Sequence, residues 1–124
     1  MHVYLETFDA TDNWAYALYD SFQITDGTDN YRLTLSGYSG TAGDGMTEFN
    51  TADNMQFSTR DNDLRPNNCP VRFTGAWWYN DCHYACLNGQ YLWGEHPDSY
   101  ADGVNWIPYR LHHYSMKTTI MKVQ

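Results

Sequence analysis

Apolar and polar positions alternate in two separate parts of the chain, near its front and at its end. Val3 and Leu5, the aromatic run from Trp14 to Phe22, and Tyr31, Leu33 and Leu35 all repeat with the period of two that places side chains on opposite faces of a strand. Residues 3–40 therefore read as an antiparallel sheet region, with turns at Asp26-Gly27 and Ser36-Gly37 that separate or end its strands. From Gly40 to Asn54 the chain is rich in Gly, Thr, Asp and Asn and reads as a connector, with at most a short helix near Met46–Asn50. Residues 55–110 sustain neither period, so their order has to come from a covalent staple, aromatic packing or a bound ion. The tail from Tyr114 to Val123 alternates again at Met116, Thr118 and Ile120 and reads as a closing strand. Length predicts one domain, and the pattern divides it into a sheet and connector over residues 1–54 and a loop-rich part over 55–124.

Composition narrows the partners. With eleven Tyr and five Trp in 124 residues, the chain is rich in aromatics, and its net charge is −8 at pH 7. Nucleic-acid binding needs clustered Lys and Arg, which this chain lacks, so cations or neutral ligands suit it better. No apolar run is long enough to span a bilayer. The opening MHVYLETF has no signal-peptide pattern, so an export signal, if one exists, lies outside these residues.

Candidate chemistry is concentrated between Phe57 and Tyr91. Asp61 and Asp63 can present carboxylates on one side of a turn, and the carbonyls of Arg65 and Asn67 are spaced to complete an oxygen shell for a hard cation such as Ca2+, with water filling the rest. An Asx-rich turn with no metal is the plainer alternative. The loop is not an EF-hand: Pro66 stands at the required glycine and Arg72 at the bidentate glutamate. Of the three cysteines, a Cys69–Cys82 bridge would close a small loop and leave Cys86 over, as a buried thiol or a handle for an intermolecular bridge. Three reduced cysteines, or a zinc site from Cys69, Cys82, His83 and Cys86, are the competing readings. Beside them lie an exposed-looking His83 and the cluster Phe73, Trp77, Trp78 and Tyr79, in which the Trp pair reads as core. No catalytic triad, phosphate loop or hydrolase motif is present, and a thiol enzyme built on Cys86 and His83 would lack an orienting partner. The expectation is a protein that is not an enzyme.

Six blocks carry a resemblance: FSTRDND, NNC, GAWWYNDCH, LNGQYL, SYADGVNW and YSMKTTIMKV, in that order. Together they closely resemble the C-terminal fibrinogen-like domain shared by fibrinogen chains, ficolins, tachylectins and related secreted proteins. LETFDATDNWAYALYDSF and DNYRLTLSGYSGTAGDGM resemble that family's central sheet and connector, so the likeness covers essentially the whole chain. The family's N-terminal subdomain, with its own disulfide, has no counterpart here. The resemblance implies an α+β, fibrinogen C-terminal-like fold with that subdomain missing, an extracellular setting, and an uncovered sheet edge that calls for an oligomer or another chain.

The family's calcium loop has the layout of Asp61, Asp63, Arg65 and Asn67, although Thr59-Arg60 replaces an acidic pair common in relatives, which implies weaker affinity. In lectin-like members a pocket beside that loop receives an acetyl group. The resemblance places His83, Tyr100 and Ala101 in its lining, with Phe73 where some relatives have Tyr, Tyr79 nearby, and a cis peptide at Asp81–Cys82. An acetamide suits such a site, its methyl against an aromatic wall and its amide hydrogen-bonded. The expected function is a secreted, calcium-assisted module binding acetylated carbohydrates, of the innate-immune lectin type. The alternative is a protein-interaction, matrix or clotting-type module in which the same region grips a peptide or receptor. A pocket for a peptide amine would favour acidic residues, and Val71-Arg72 after Cys69-Pro70 departs from that.

Overall fold

In a computed structural model describing residues 1–124, the front of the chain and its last strand build one antiparallel sheet. Strand β1 (Val3–Phe8) pairs with β2 (Trp14–Ile24) on one side and with β8 (Thr118–Val123) on the other, and β3 (Leu33–Gly40) extends the sheet beyond β2, giving the order β3-β2-β1-β8. Alternation selects the buried face: Val3, Leu5, Ala15, Ala17 and Tyr19 point into the core.

Ser36-Gly37 is not a turn. Pairing of β2 with β3 runs from Ile24↔Leu33 to Ala17↔Gly40 in one constant register, and Gly37, at φ +76°, lies within β3. A side chain at Gly37 would bring a Cβ within 2.9 Å of the Asp20 Cβ, so this close, left-handed crossing needs glycine. Near the kink the inward positions of β2 change parity, from Ala15, Ala17 and Tyr19 to Phe22. The turn expected at Asp26-Gly27 is present as a 3-10 turn over Gly27–Asp29.

The connector holds no helix at 46–50. Asp44 instead accepts from the backbone amides of Met46 (3.1 Å) and Thr47 (2.9 Å), from the Thr47 hydroxyl and from the Tyr19 hydroxyl (2.8 Å). A short acceptor that captures nearby backbone donors competes with helical bonding.

Residues 55–110 contain only short elements: helices α1 (Cys69–Arg72) and α2 (Ile107–Arg110), with β4 (Ala85–Cys86) paired to β6 (Asn105–Trp106) and β5 (Gly94–Glu95) paired to β7 (Tyr114–Ser115). Their order comes from packing. A core of 21 buried residues joins the sheet to Trp77, Trp78, Tyr79 and Trp106. Two indole N–H groups cross between the parts, Trp78 to the Tyr31 carbonyl and Trp106 to the Gly43 carbonyl, each at 2.9 Å. The tail is divided: β7 and buried Met116 belong to the loop-rich part, and only β8 closes the sheet. Met121 and Val123, register partners of the buried Leu5 and Val3, remain 40% and 47% exposed.

Candidate functional site

Cys69, which opens α1, is bridged to Cys82, which excludes both the reduced-cysteine and the zinc readings. The bridge ties α1 to the segment bearing Asp81, Cys82 and His83, in which the Asp81–Cys82 peptide is cis. Beside it lies a cavity of about 200 Å³ lined by Asn50, Arg72, Phe73, Asp81, Cys82, His83, Tyr100, Ala101 and His112. Four of the five residues expected at a ligand pocket, Phe73, His83, Tyr100 and Ala101, thus meet at one place.

Tyr79 does not line the cavity. Fully buried, it supports His83 from behind with ring centroids 5.7 Å apart, and its hydroxyl lies 3.6 Å from the Cys86 sulfur. Cys86 is itself buried, and burial pushes its thiol up to about 11, so it is no handle for an intermolecular bridge. Trp77 and Trp78 pack edge to face at 5.0 Å within the core, as expected.

His83 is not exposed: its accessibility is 8%. Burial is the main cause that lowers its pKa to about 4, opposed by the Ala101 backbone and reinforced by His112, so the ring is neutral at pH 7. Phe73 meets it edge-on at 5.1 Å, and the approach of the Ala101 backbone is too poorly aligned to make a proper hydrogen bond to either ring nitrogen. Tyr100 stacks on His112 at 4.7 Å and 11°, forming the opposite wall. His112 is also lowered, through burial and then the neighbouring charge of His113.

Sequence reasoning missed Asn50, Asp81 and His112 as lining residues, and it noted Arg72 only as a departure from the acidic residues of a peptide-amine pocket. Arg72 is exposed at the rim, 4.9 Å over the Phe73 ring, and donates to the Asn67 carbonyl at 3.2 Å. Asp81 accepts from the Asn67 side-chain amide. The His112-His113 doublet was the available signal, because two adjacent imidazoles offer donors and acceptors to a ligand, but nothing local ties it to residue 83.

The acidic loop supplies donors of the right kind for calcium. Asp61 and Asp63 are exposed carboxylates that accept from the Thr59 hydroxyl (2.7 Å) and the Arg65 amide (3.2 Å). No three His, Cys, Asp or Glu side chains converge on a point anywhere in the chain, so such an ion would draw on backbone carbonyls, as at Arg65 and Asn67. The Asn67 carbonyl already carries the Arg72 guanidinium, which a cation there would have to displace or tolerate.

A family model described as fibrinogen beta and gamma chains, C-terminal globular domain, matches residues 1–124. The chain belongs to this fibrinogen C-terminal family. Among its relatives is fibrinogen C domain-containing protein 1, 45% identical in Macaca fascicularis over 100% of this chain and 29% of the relative, and 44% identical in Homo sapiens over 100% and 27%. The chain thus spans less than a third of the length of these relatives. Among solved structures, the fibrinogen-like globe domain of human ANGPTL2 superposes with a TM-score of 0.89 at 34% identity, over 97% of this chain and 56% of that one. A lamprey fibrin D-dimer complexed with the peptide Gly-His-Arg-Pro-amide superposes at 0.88 and 31% identity, over 97% and 44%. The expected fibrinogen-like fold is therefore the fold of this chain. No helix is long and apolar enough to cross a membrane.

Proposed function

We propose that this chain is the ligand-contacting part of a non-catalytic recognition module, and that the cavity beside Cys82 grips a short segment of a protein ligand or receptor. The observation that carries this reading is the neutral, buried His83, whose ring is set against the Ala101 backbone but makes no well-formed hydrogen bond at the cavity. An unpartnered buried polar group costs about 1–3 kcal/mol, which a ligand that completes the bond returns as affinity. Arg72 and Asp81 add one charge of each sign beside it, and Asn50 adds an amide, a mixture suited to the donors and acceptors of a peptide. The likeness to a fibrin structure that holds a peptide supports the same choice. The disulfide and the family support an extracellular setting.

A second reading, an acetylated carbohydrate or other acetylated group, is favoured by one feature. Phe73 and Ala101 give a methyl an apolar wall within reach of the neutral His83. In either reading calcium held by Asp61, Asp63 and the Arg65 and Asn67 carbonyls would stiffen the loop rather than touch the ligand. The half-exposed Met121 and Val123 support covering of the sheet by further protein, whether more of the same polypeptide or another chain.

Calorimetry separates the readings. Gly-His-Arg-Pro-amide and N-acetylglucosamine would each be titrated into the chain, with calcium and with chelator. Heat from the peptide that is lost in His83→Phe supports the first reading, and heat from the sugar alone transfers the assignment to the second. A folded chain giving no heat with either probe overturns both.

A further inference from the structure

The larger cavity of the molecule, about 540 Å³, shares no lining residue with the site beside Cys82. We infer that it is a second binding site, for a neutral, hydroxyl-rich ligand such as a saccharide unit.

Its walls are Glu95, Pro97, Tyr109, Arg110, Leu111, His113 and Tyr114. Glu95 and Tyr114 are register partners in the β5–β7 ladder, so a carboxylate and a phenol ring stand side by side. Helix α2 delivers Tyr109 and Arg110. The chain leaves that helix through Leu111, whose left-handed φ of +57° is uncommon for a branched residue and whose side chain is 69% exposed. The volume is within the range of small-ligand sites, and Pro97, Leu111 and the tyrosines provide the apolar surface on which the C–H face of a sugar ring can rest.

Charge selects the ligand. Arg110 lies over Tyr114 at 5.0 Å and Tyr109 at 5.6 Å and is paired with the fully buried Asp9. Burial alone would raise the Asp9 carboxyl, but donors from Arg110, Thr11 and Asn13 hold it well below the usual range, so Asp9 stays ionised and offsets the guanidinium charge. The Arg110 Nε is left buried without a partner. Glu95 is in none of the four ion pairs. The Nδ1 of His113 lies 2.7 Å from the Ser99 carbonyl, which can only accept, so Nδ1 carries a hydrogen and Nε2 is the ring atom left for a ligand. An anionic ligand would meet the unpaired Glu95, and a cationic one would meet the Arg110 guanidinium. A hydroxyl both donates and accepts, and so satisfies the carboxylate, the imidazole and the guanidinium together.

Lactose, neutral and free of acetyl groups, is the probe. Added at millimolar concentration to the ¹⁵N-labelled chain, it is expected to shift the amide resonances of residues 94–97, 109–111, 113 and 114 and to leave the sheet unmoved. Glu95→Ala, at an exposed position, and Tyr109→Leu, at a partly buried one that leucine keeps apolar, should each weaken binding by about fivefold to tenfold, the loss of one good contact. The anion gluconate should bind more weakly than lactose. Absence of shifts in these segments, shifts confined to residues around 72–83 and 101, undiminished binding in both variants, or tighter binding of gluconate would each overturn the assignment. Because the two cavities report on different amides, failure here is distinguishable from failure of the site beside Cys82.

Discussion

The Arg72 guanidinium donates to the Asn67 carbonyl at 3.2 Å, which sets a fixed cation on one of the four oxygens expected to hold calcium. The ligand cavity and the acidic loop are therefore joined at Asn67, whose carbonyl takes Arg72 from the cavity rim and whose side-chain amide donates to Asp81 in its lining.

Removing that cation should help calcium. Between exposed charges the repulsion is on the order of 1 kcal/mol, so Arg72→Ala is expected to tighten calcium binding by about fivefold in a calorimetric titration. Weaker calcium binding in the variant would exclude Asn67 from the ligand set.

Stability should fall as His83 is forced to charge. The folded ring titrates at about 4 against an ordinary 6.5, so below pH 6.5 the unfolded chain takes up a proton that the folded chain refuses. Stability is full above 6.5 and is lost progressively as pH falls from there to about 4, by an amount on the order of 3 kcal/mol. Denaturant titrations across that window should show a shallower fall for His83→Phe than for the parent. Equal slopes would mean that the ring is already solvated.

Opening the Cys69–Cys82 bridge should cost about 3 kcal/mol, the chain-entropy value for a loop of roughly this length. Thermal melting of the Cys69→Ala, Cys82→Ala double variant measures it. The effect should be accompanied by loss of peptide binding, because the bridge ties α1, with Phe73 directly after it, to His83.

Cys86 should be inert in the folded state. Buried and with its thiol pushed up to about 11, it is expected to react with iodoacetamide only under denaturing conditions. Rapid labelling of the native chain would contradict its burial.

Asp9 and Arg110 lie far apart in sequence yet form a partly buried ion pair, and nothing in either segment announces it. Asp9→Ala leaves the guanidinium without its partner, and Asp9 also accepts from the Thr11 and Asn13 amides, so a loss of about 3–5 kcal/mol is expected by chemical denaturation. A loss below 1 kcal/mol would mean that water replaces the carboxylate.

Legibility followed the range of the forces. Strands β1 to β3 could be read because each alternating residue reports locally on which face it occupies. The turn assigned to Ser36-Gly37 failed because glycine in a strand can also mark a close crossing, here against Asp20, that only the neighbouring strand reveals. The short helix allowed near Met46–Asn50 did not form because Asp44 took the local donors. At the site, Phe73, His83, Tyr100 and Ala101 were found through motif resemblance, whereas Asn50, Asp81 and His112 come from segments with no periodicity to relate them.

By itself the amino-acid sequence determined the alternation that makes the sheet, the cysteine pair within bridging reach, the acidic oxygen donors and the motif order that marks the family. These are properties of neighbours along the chain. The tertiary structure decided what depends on solvent and on distant neighbours: that His83 is buried and neutral, that Tyr79 stands behind it instead of beside the ligand, that Arg72 shares the Asn67 carbonyl, and that Asp9 balances Arg110. Charge state and accessibility are set by which groups exclude water around a residue, and that becomes known only when the chain has closed on itself.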